Sequence, residues 1–221
     1  MKRLKIVKVF TDRYPLIGPI MWILSVQYFI VQLIVAKAWS MPYSLASNTI
    51  SDLGNTYCGI YSGRYICSPL HSFMNGSFII LGLFMTLGSM FIYQEFRETS
   101  LAFIGFGFLL LAGIGTLLVG LFPENTNGTL HIIGAILPFL IGNAGITILG
   151  YALQVAKSLR FYSILSGVVS LIALVFFTSH HYLGIGIGGM ERITAYPQTV
   201  WLFVFGVYMS KNHLAKTRPT K

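Results

Sequence analysis

The chain has 221 residues, 55% of them hydrophobic and only 10% charged, with a mean hydropathy of +0.73. So few polar side chains cannot clothe a folded chain of this length in water, which excludes a soluble domain and makes this an integral membrane protein. The net charge of +9 does not point to nucleic acid, because no polar stretch is long enough to fold into a basic module.

A hydrocarbon layer of about 30 Å needs roughly 20 apolar residues per helix, and six segments meet that length. The first covers about 14–38. Ala36-Lys37-Ala38 at its end imitates the cleavage site of a secretory signal, but the apolar run exceeds a usual signal core and is read as a span. A long loop, 39–69, follows and holds Cys58 and Cys67, the chain's two cysteines. An oxidising compartment favours a disulfide between them, worth roughly 2–3 kcal/mol in the chain-entropy model, with two free thiols as the alternative. No CxxC spacing suggests a metal there.

The second span, 70–93, is expected to start at Ser68-Pro69, an N-cap followed by proline, which places His71 in the first turn. There the helix dipole disfavours an imidazolium. The third span, 100–122, carries Ala112, Thr116 and Gly120 at four-residue spacing, a seam for close helix packing. Asn125, Asn127 and Gly128 then form a tight turn, which brings Glu124 and His131 to one mouth of the bundle. The fourth span, 130–155, contains Pro138 and Asn143, and the fifth, 161–179, ends before His180 and His181. The sixth, 190–209, includes Pro197, so a kink is expected there.

Twelve of the fifteen lysines and arginines fall on one side of this arrangement: Lys2, Arg3, Lys5, Lys8, Arg13, Arg97, Lys157, Arg160, Lys211, Lys216, Arg218 and Lys221. Lys37, Arg64 and Arg192 fall on the other. Positive residues are retained in the cytoplasm, so the expected fold is an all-α six-helix bundle, one domain over 1–221, with both termini cytoplasmic. The net charge is then a consequence of topology.

Asp52, Glu124 and Glu191 lie at the ends of apolar runs on the outer side, with His71, His131 and Arg192 near them. Ionisable groups at such places are costly unless paired or wet. Each has a structural explanation: Asp52 as a turn former, Glu191 as a first-turn carboxylate, Arg192 as a partner of Asp52 or Glu124. Their convergence also suits proton transfer by His131, oriented by Asp52 or Glu124, with Ser51 or Ser68 as nucleophile in acyl transfer. Arg192, with Glu191 and His71 beside it, would then hold an anionic head group.

The expected partners are membrane lipids or other amphiphiles, either processed or merely bound; a scaffold for a protein partner is the alternative. The residues leave turnover open. Transport ranks lower, since the spans are largely free of charge at mid-depth. No metal ligand set or cofactor is assigned, although a transition metal at the histidine-carboxylate mouth is not excluded by residue type.

Several pieces occur in order on one face: Ile50-Ser51-Asp52-Leu53-Gly54, Ser68-Pro69-Leu70-His71, Phe122-Pro123-Glu124, His131-Ile132-Ile133-Gly134-Ala135, and Gly188-Gly189-Met190-Glu191-Arg192. Together they resemble the bacterial and archaeal family known as domain of unknown function 998, over most of the chain. The resemblance implies a prokaryotic cell membrane. The Ile-Ser-Asp-X-Gly element and the His131, Gly134, Ala135 grouping are also similar, more weakly, to the DRAM and GPI-remodelling membrane proteins, which implies a six-span fold and only faintly lipid handling. Ser68 and His71 lie close, but no HxxxH pair occurs on a late span, so the zinc site of alkaline ceramidase-type hydrolases is not expected.

Overall fold

Inside a bilayer every backbone N–H and C=O must find its partner within the protein, so long apolar segments become helices. The computed structural model describes residues 11, 13–97 and 99–216. Lys2, Arg3, Lys5, Lys8, Arg218 and Lys221 of the charge argument lie outside the described residues. The helices are α1 (Ile17–Leu24), α2 (Gln27–Lys37), α3 (His71–Tyr93), α4 (Ser100–Leu121), α5 (Gly128–Ile136), α6 (Asn143–Ala152), α7 (Lys157–Thr178) and α8 (Gly186–Lys216). A short interruption at Ser25 and Val26 separates α1 from α2, and a π-helical stretch, Leu137–Gly142, joins α5 to α6.

Among the described residues, five stretches are long and apolar enough to cross a membrane: Ile17–Lys37, His71–Tyr93, Ser100–Leu121, Gly128–Ala152 and Lys157–Thr178. The chain is accordingly a multi-pass helical membrane protein. The segment expected as a sixth span lies within α8, which runs further in both directions and is the polar exception. Its Glu191, Arg192, Thr194, Gln198 and Thr199 are all buried in the protein rather than turned to lipid. They are tolerated because α8 packs against α1 and α7, in a ring that closes through α3, α4 and the α5–α6 segment.

Close approach of the backbones fixes the ring. A Cβ on Gly82 of α3 would lie 2.6 Å from the Gly113 carbonyl of α4, and one on Gly115 would lie 2.5 Å from the Gly134 carbonyl of α5. Van der Waals contact and local hydrogen bonds must hold helices together where lipid is as apolar as the core, so these small residues are sites of adhesion. Of the expected seam, Gly120 meets the Asn75 carbonyl of α3, whereas Thr116 borders an internal cavity.

Pro138 and Pro197 both sit inside helical segments, and side-chain hydrogen bonds brace the backbone beside each. Pro197 leaves the Ile193 carbonyl without its N–H, and Ser170 Oγ of α7 donates to that oxygen at 3.3 Å. Past Pro138, Asn143 Nδ2 donates to Phe139 O at 2.8 Å and to Thr194 O at 3.0 Å, tying the π-helical stretch to α8.

The fold is not purely helical. Between the cysteines, β1 (Gly59–Tyr61) and β2 (Arg64–Ile66) pair antiparallel in the register Gly59↔Ile66, Ile60↔Tyr65, Tyr61↔Arg64. Ser62 and Gly63 both have positive φ, 48° and 75°, the conformation a two-residue hairpin turn demands. The disulfide Cys58–Cys67 closes the hairpin, as expected. One further expectation fails: α3 begins at His71 with no side-chain cap, not at Ser68. The Ser68 hydroxyl instead donates to the Leu53 carbonyl at 2.7 Å.

Candidate functional site

The site is built on a short 3-10 turn, Ser51–Gly54, in the loop between α2 and β1. Thr49 and Asp52 form a reciprocal cap: the Asp52 amide donates to Thr49 Oγ1 at 3.0 Å, and the Thr49 amide donates to Asp52 Oδ2 at 2.9 Å. The second Asp52 oxygen pairs with Arg64 of the disulfide hairpin at 3.0 Å. At the other end, Asn75 Nδ2 of α3 donates to the Gly54 carbonyl at 2.9 Å. A Cβ at Gly54 would lie 2.3 Å from Asn75 Oδ1, so a larger residue there would displace the Asn75 amide. The turn is therefore held from several elements, and Ser51 is its first residue.

Ser51 Oγ lies 3.0 Å from His131 Nε2, while His131 Nδ1 lies 2.9 Å from the Phe122 carbonyl. A carbonyl only accepts, so Nδ1 carries the hydrogen and the lone pair of neutral His131 is on Nε2, aimed at the serine hydroxyl. The Asn127 side chain caps α5 by accepting the Leu130 amide at 3.1 Å, which fixes the helix start just before His131. Serine, imidazole and an orienting acceptor thus stand in line.

Glu191 of α8 completes the cluster from the far end of the sequence. Its Oε2 accepts the Ile50 amide, the Ser51 amide also points to it, and Oε1 is 3.4 Å from Ser51 Oγ. Among the described residues, Arg192 reaches no carboxylate. Its guanidinium donates to the carbonyls of Leu45, Asn48 and Gly188 at 2.8–3.0 Å and to the Tyr43 hydroxyl, clamping the long loop onto α8. The expected pairing with Asp52 or Glu124 is replaced because loop carbonyls come nearer. Burial pushes the Tyr43 phenol well above its ordinary range, so it remains a hydroxyl, donating to Thr49 O at 3.0 Å.

The remaining candidates are placed apart from the serine. Asp52 is completely buried and engaged with Arg64 and Thr49, so it supports the turn instead of orienting His131. Glu124 accepts Asn55 Nδ2 at 2.8 Å and lies in hydrogen-bond reach of Asp52. Burial pushes its carboxyl up to about 8; the Asn55 bond opposes this and the nearby Asp52 and Glu191 charges add to it. Ser68 is committed to Leu53 O, and His71 stands at the start of α3 next to Ser72. His180 and His181 are exposed and bond locally, to the Tyr182 hydroxyl and the Ser179 carbonyl. Among the described residues, no three His, Cys, Asp or Glu side chains are placed to hold a metal ion.

Ser51 opens onto a narrow cavity of about 40 Å³ inside the ring, whose lining also includes Tyr28, Phe78, Phe139, Glu191, Gln198 and Thr199. Sequence reasoning missed Gln198 and Thr199, although Glu191, Ala195, Gln198 and Thr199 stand at helical spacing on one stripe of α8.

The ring of apolar helices and the polar cluster buried at one end define a multi-pass membrane protein with an internal site. Residues 23–208 match the model of the family described as protein of unknown function (DUF998), and the chain belongs to that family. Comparison with curated proteins and with solved structures finds no match.

Proposed function

We propose that this protein is an acyl-transferring or acyl-hydrolysing enzyme of amphiphilic esters, with Ser51 as nucleophile and His131 as general base. It sits in a prokaryotic cell membrane as a six-span bundle, α8 included, with both termini cytoplasmic and the Ser51 turn at the outer surface. The observation that carries the reading is the 3.0 Å contact between Ser51 Oγ and His131 Nε2, with Nδ1 held by a carbonyl, next to a cavity open to Ser51. In the reaction, Ser51 Oγ bonds to the ester carbonyl carbon as its proton moves to His131 Nε2. The tetrahedral intermediate then expels the alcohol, which takes that proton back. Water or an acceptor alcohol next attacks the acyl-serine, again giving its proton to His131, and the released Ser51 oxygen recovers it. Lipids are the natural source of such esters at this depth.

A non-catalytic reading has one observation in its favour. The amides of Ile50 and Ser51 both turn to Glu191, as they would in a purely structural cap. One experiment separates the two: treat purified protein with a fluorophosphonate, locate the adduct by mass spectrometry, and incubate host lipids in parallel. Labelling of Ser51 that disappears in Ser51→Ala and His131→Ala, with a lipid product lost in both, supports the enzyme. An inert Ser51 with lipids only co-purifying would replace it with a binding role.

A further inference from the structure

The cavity beside Ser51 is small for a site that takes esters from a membrane. A single water-sized group occupies on the order of 10–15 Å³ of such space, so about 40 Å³ leaves room for roughly three. An engineered cavity that admits benzene is about 150 Å³. The ring around the cavity is also tied at every joint, so it resists widening. Two bonds join α2 to α3: Gln27 Nε2 donates to the Ser77 carbonyl at 3.1 Å, and Ser77 Oγ donates to Gln27 Oε1 at 2.8 Å. The Tyr196 hydroxyl of α8 donates to Gln32 Oε1 of α2 at 2.8 Å, and Asn143 holds the π-helical stretch to Thr194 of α8. Between α3 and α4, and between α4 and α5, glycine backbones already touch. Rings stand on the walls: Tyr28 and Phe78 are 5.8 Å apart between centroids, and Phe139 is braced edge-on by Phe177 at 6.4 Å.

We propose that the acyl group handled at Ser51 is short, an acetyl or propionyl, so that the substrates are short O-acyl esters of an amphiphilic alcohol and not fatty acyl esters. With the carbonyl carbon at Ser51 Oγ, only the methyl or ethyl remainder has to enter the cavity, and that is what its volume holds. Each further methylene must push a ring or a helix aside, which a filled interior resists. The alcohol, not the acyl group, then carries the apolar part that the bilayer retains. Ser51 Oγ takes the acyl group from that alcohol, which leaves with the proton held on His131 Nε2. Water or a second alcohol then removes the acyl group, giving its own proton to His131, and the Ser51 oxygen recovers that proton. The product is acetic or propionic acid, or a new short ester. This inference rests on Ser51 as the nucleophile, and its test separates the two claims.

The test gives the purified protein p-nitrophenyl acetate, butyrate and octanoate in one detergent, follows nitrophenolate release, and locates the acyl group by mass spectrometry of the peptide that bears Ser51. Wild type is expected to be acylated by the acetate on the order of a hundredfold faster than by the octanoate, with the butyrate between. Phe78→Ala, which removes a ring from the cavity wall, is expected to lower that ratio roughly tenfold or more. Detergent and esters are the same for both proteins, so partitioning into micelles cancels. Phe139→Ala makes the same kind of cut in another wall and decides the matter where Phe78→Ala does not fold. An octanoate rate that matches or exceeds the acetate rate in wild type overturns the inference and leaves the nucleophile standing. So does a ratio left unchanged in folded Phe78→Ala and Phe139→Ala. No acylation of Ser51 by any of the three esters overturns both.

Discussion

The half of the bundle where α1 begins and α8 ends and the half beneath the long loop are held by different forces. In the first, Trp22, Trp201 and Phe205 meet at centroid distances of 4.9–5.6 Å, Phe106 and Phe96 extend the cluster, and Trp201 Nε1 finds Ser163 Oγ at 2.7 Å. In the second, Asp52, Asn55, His131, Glu191 and Arg192 are buried around a cavity. Aromatic packing tolerates small displacements because dispersion is not directional. A buried charge or amide tolerates few, since each lost partner leaves a desolvated group. One half can thus supply stability while the other supplies position.

The sharpest break between the halves is chemical. Ser51→Ala is expected to abolish fluorophosphonate labelling and lower turnover on the order of 10⁴-fold, and His131→Ala to lower both roughly 10²–10⁴-fold, with the thermal midpoint in detergent nearly unchanged for Ser51→Ala. Trp201→Ala should do the opposite: about 3 kcal/mol of stability lost in unfolding by SDS titration, with labelling per folded molecule retained. If Trp201→Ala silences Ser51 in folded protein, the division of labour is wrong.

Arg64→Ala lies between these extremes, because it strips Asp52 of its ion-pair partner. A loss of about 2 kcal/mol is expected, partly restored by adding Asp52→Asn, and a double-mutant cycle measures the coupling. Glu124 gives a smaller, pH-dependent effect. Its folded-state pKa of about 8 exceeds the ordinary 4.5, so the folded protein binds the extra proton. Stability is then full below about 4.5 and declines as pH rises through about 8. Glu124→Gln should flatten that decline in thermal midpoints at pH 6 and 8.5. The smallest change expected is at Leu33, 65% exposed on α2, where alanine should shift stability by less than about 0.5 kcal/mol.

Much of the apolar architecture was legible because helix length follows bilayer thickness. α8 was read less well: its 190–209 segment was recognised, but its buried polar stripe was not, since polarity that faces a ring interior looks like weakness of the span. His131 as base and Ser51 as one of two nucleophile candidates were legible, yet which serine meets the imidazole was not, because no periodicity links positions 80 residues apart. Arg192 was misjudged for a similar reason. A guanidinium in a sequence suggests an anion, whereas the carbonyls of Leu45 and Asn48 became its partners through tertiary contact. The hairpin did leave a signal: Ile60-Tyr61 and Tyr65-Ile66 flank Ser62-Gly63, β-formers around a turn pair.

The ties from Glu191 and Arg192 to the long loop also constrain how the molecule is made. Ser51 leaves the ribosome 140 residues ahead of Glu191, and the carbonyls of Leu45 and Asn48 wait similarly for Arg192. Until α8 docks, the loop has neither its clamp nor its cap, and the cavity lacks the wall that α8 provides. The nascent chain therefore carries the Ser51 cluster unassembled, and docking of α8 is the event that completes it.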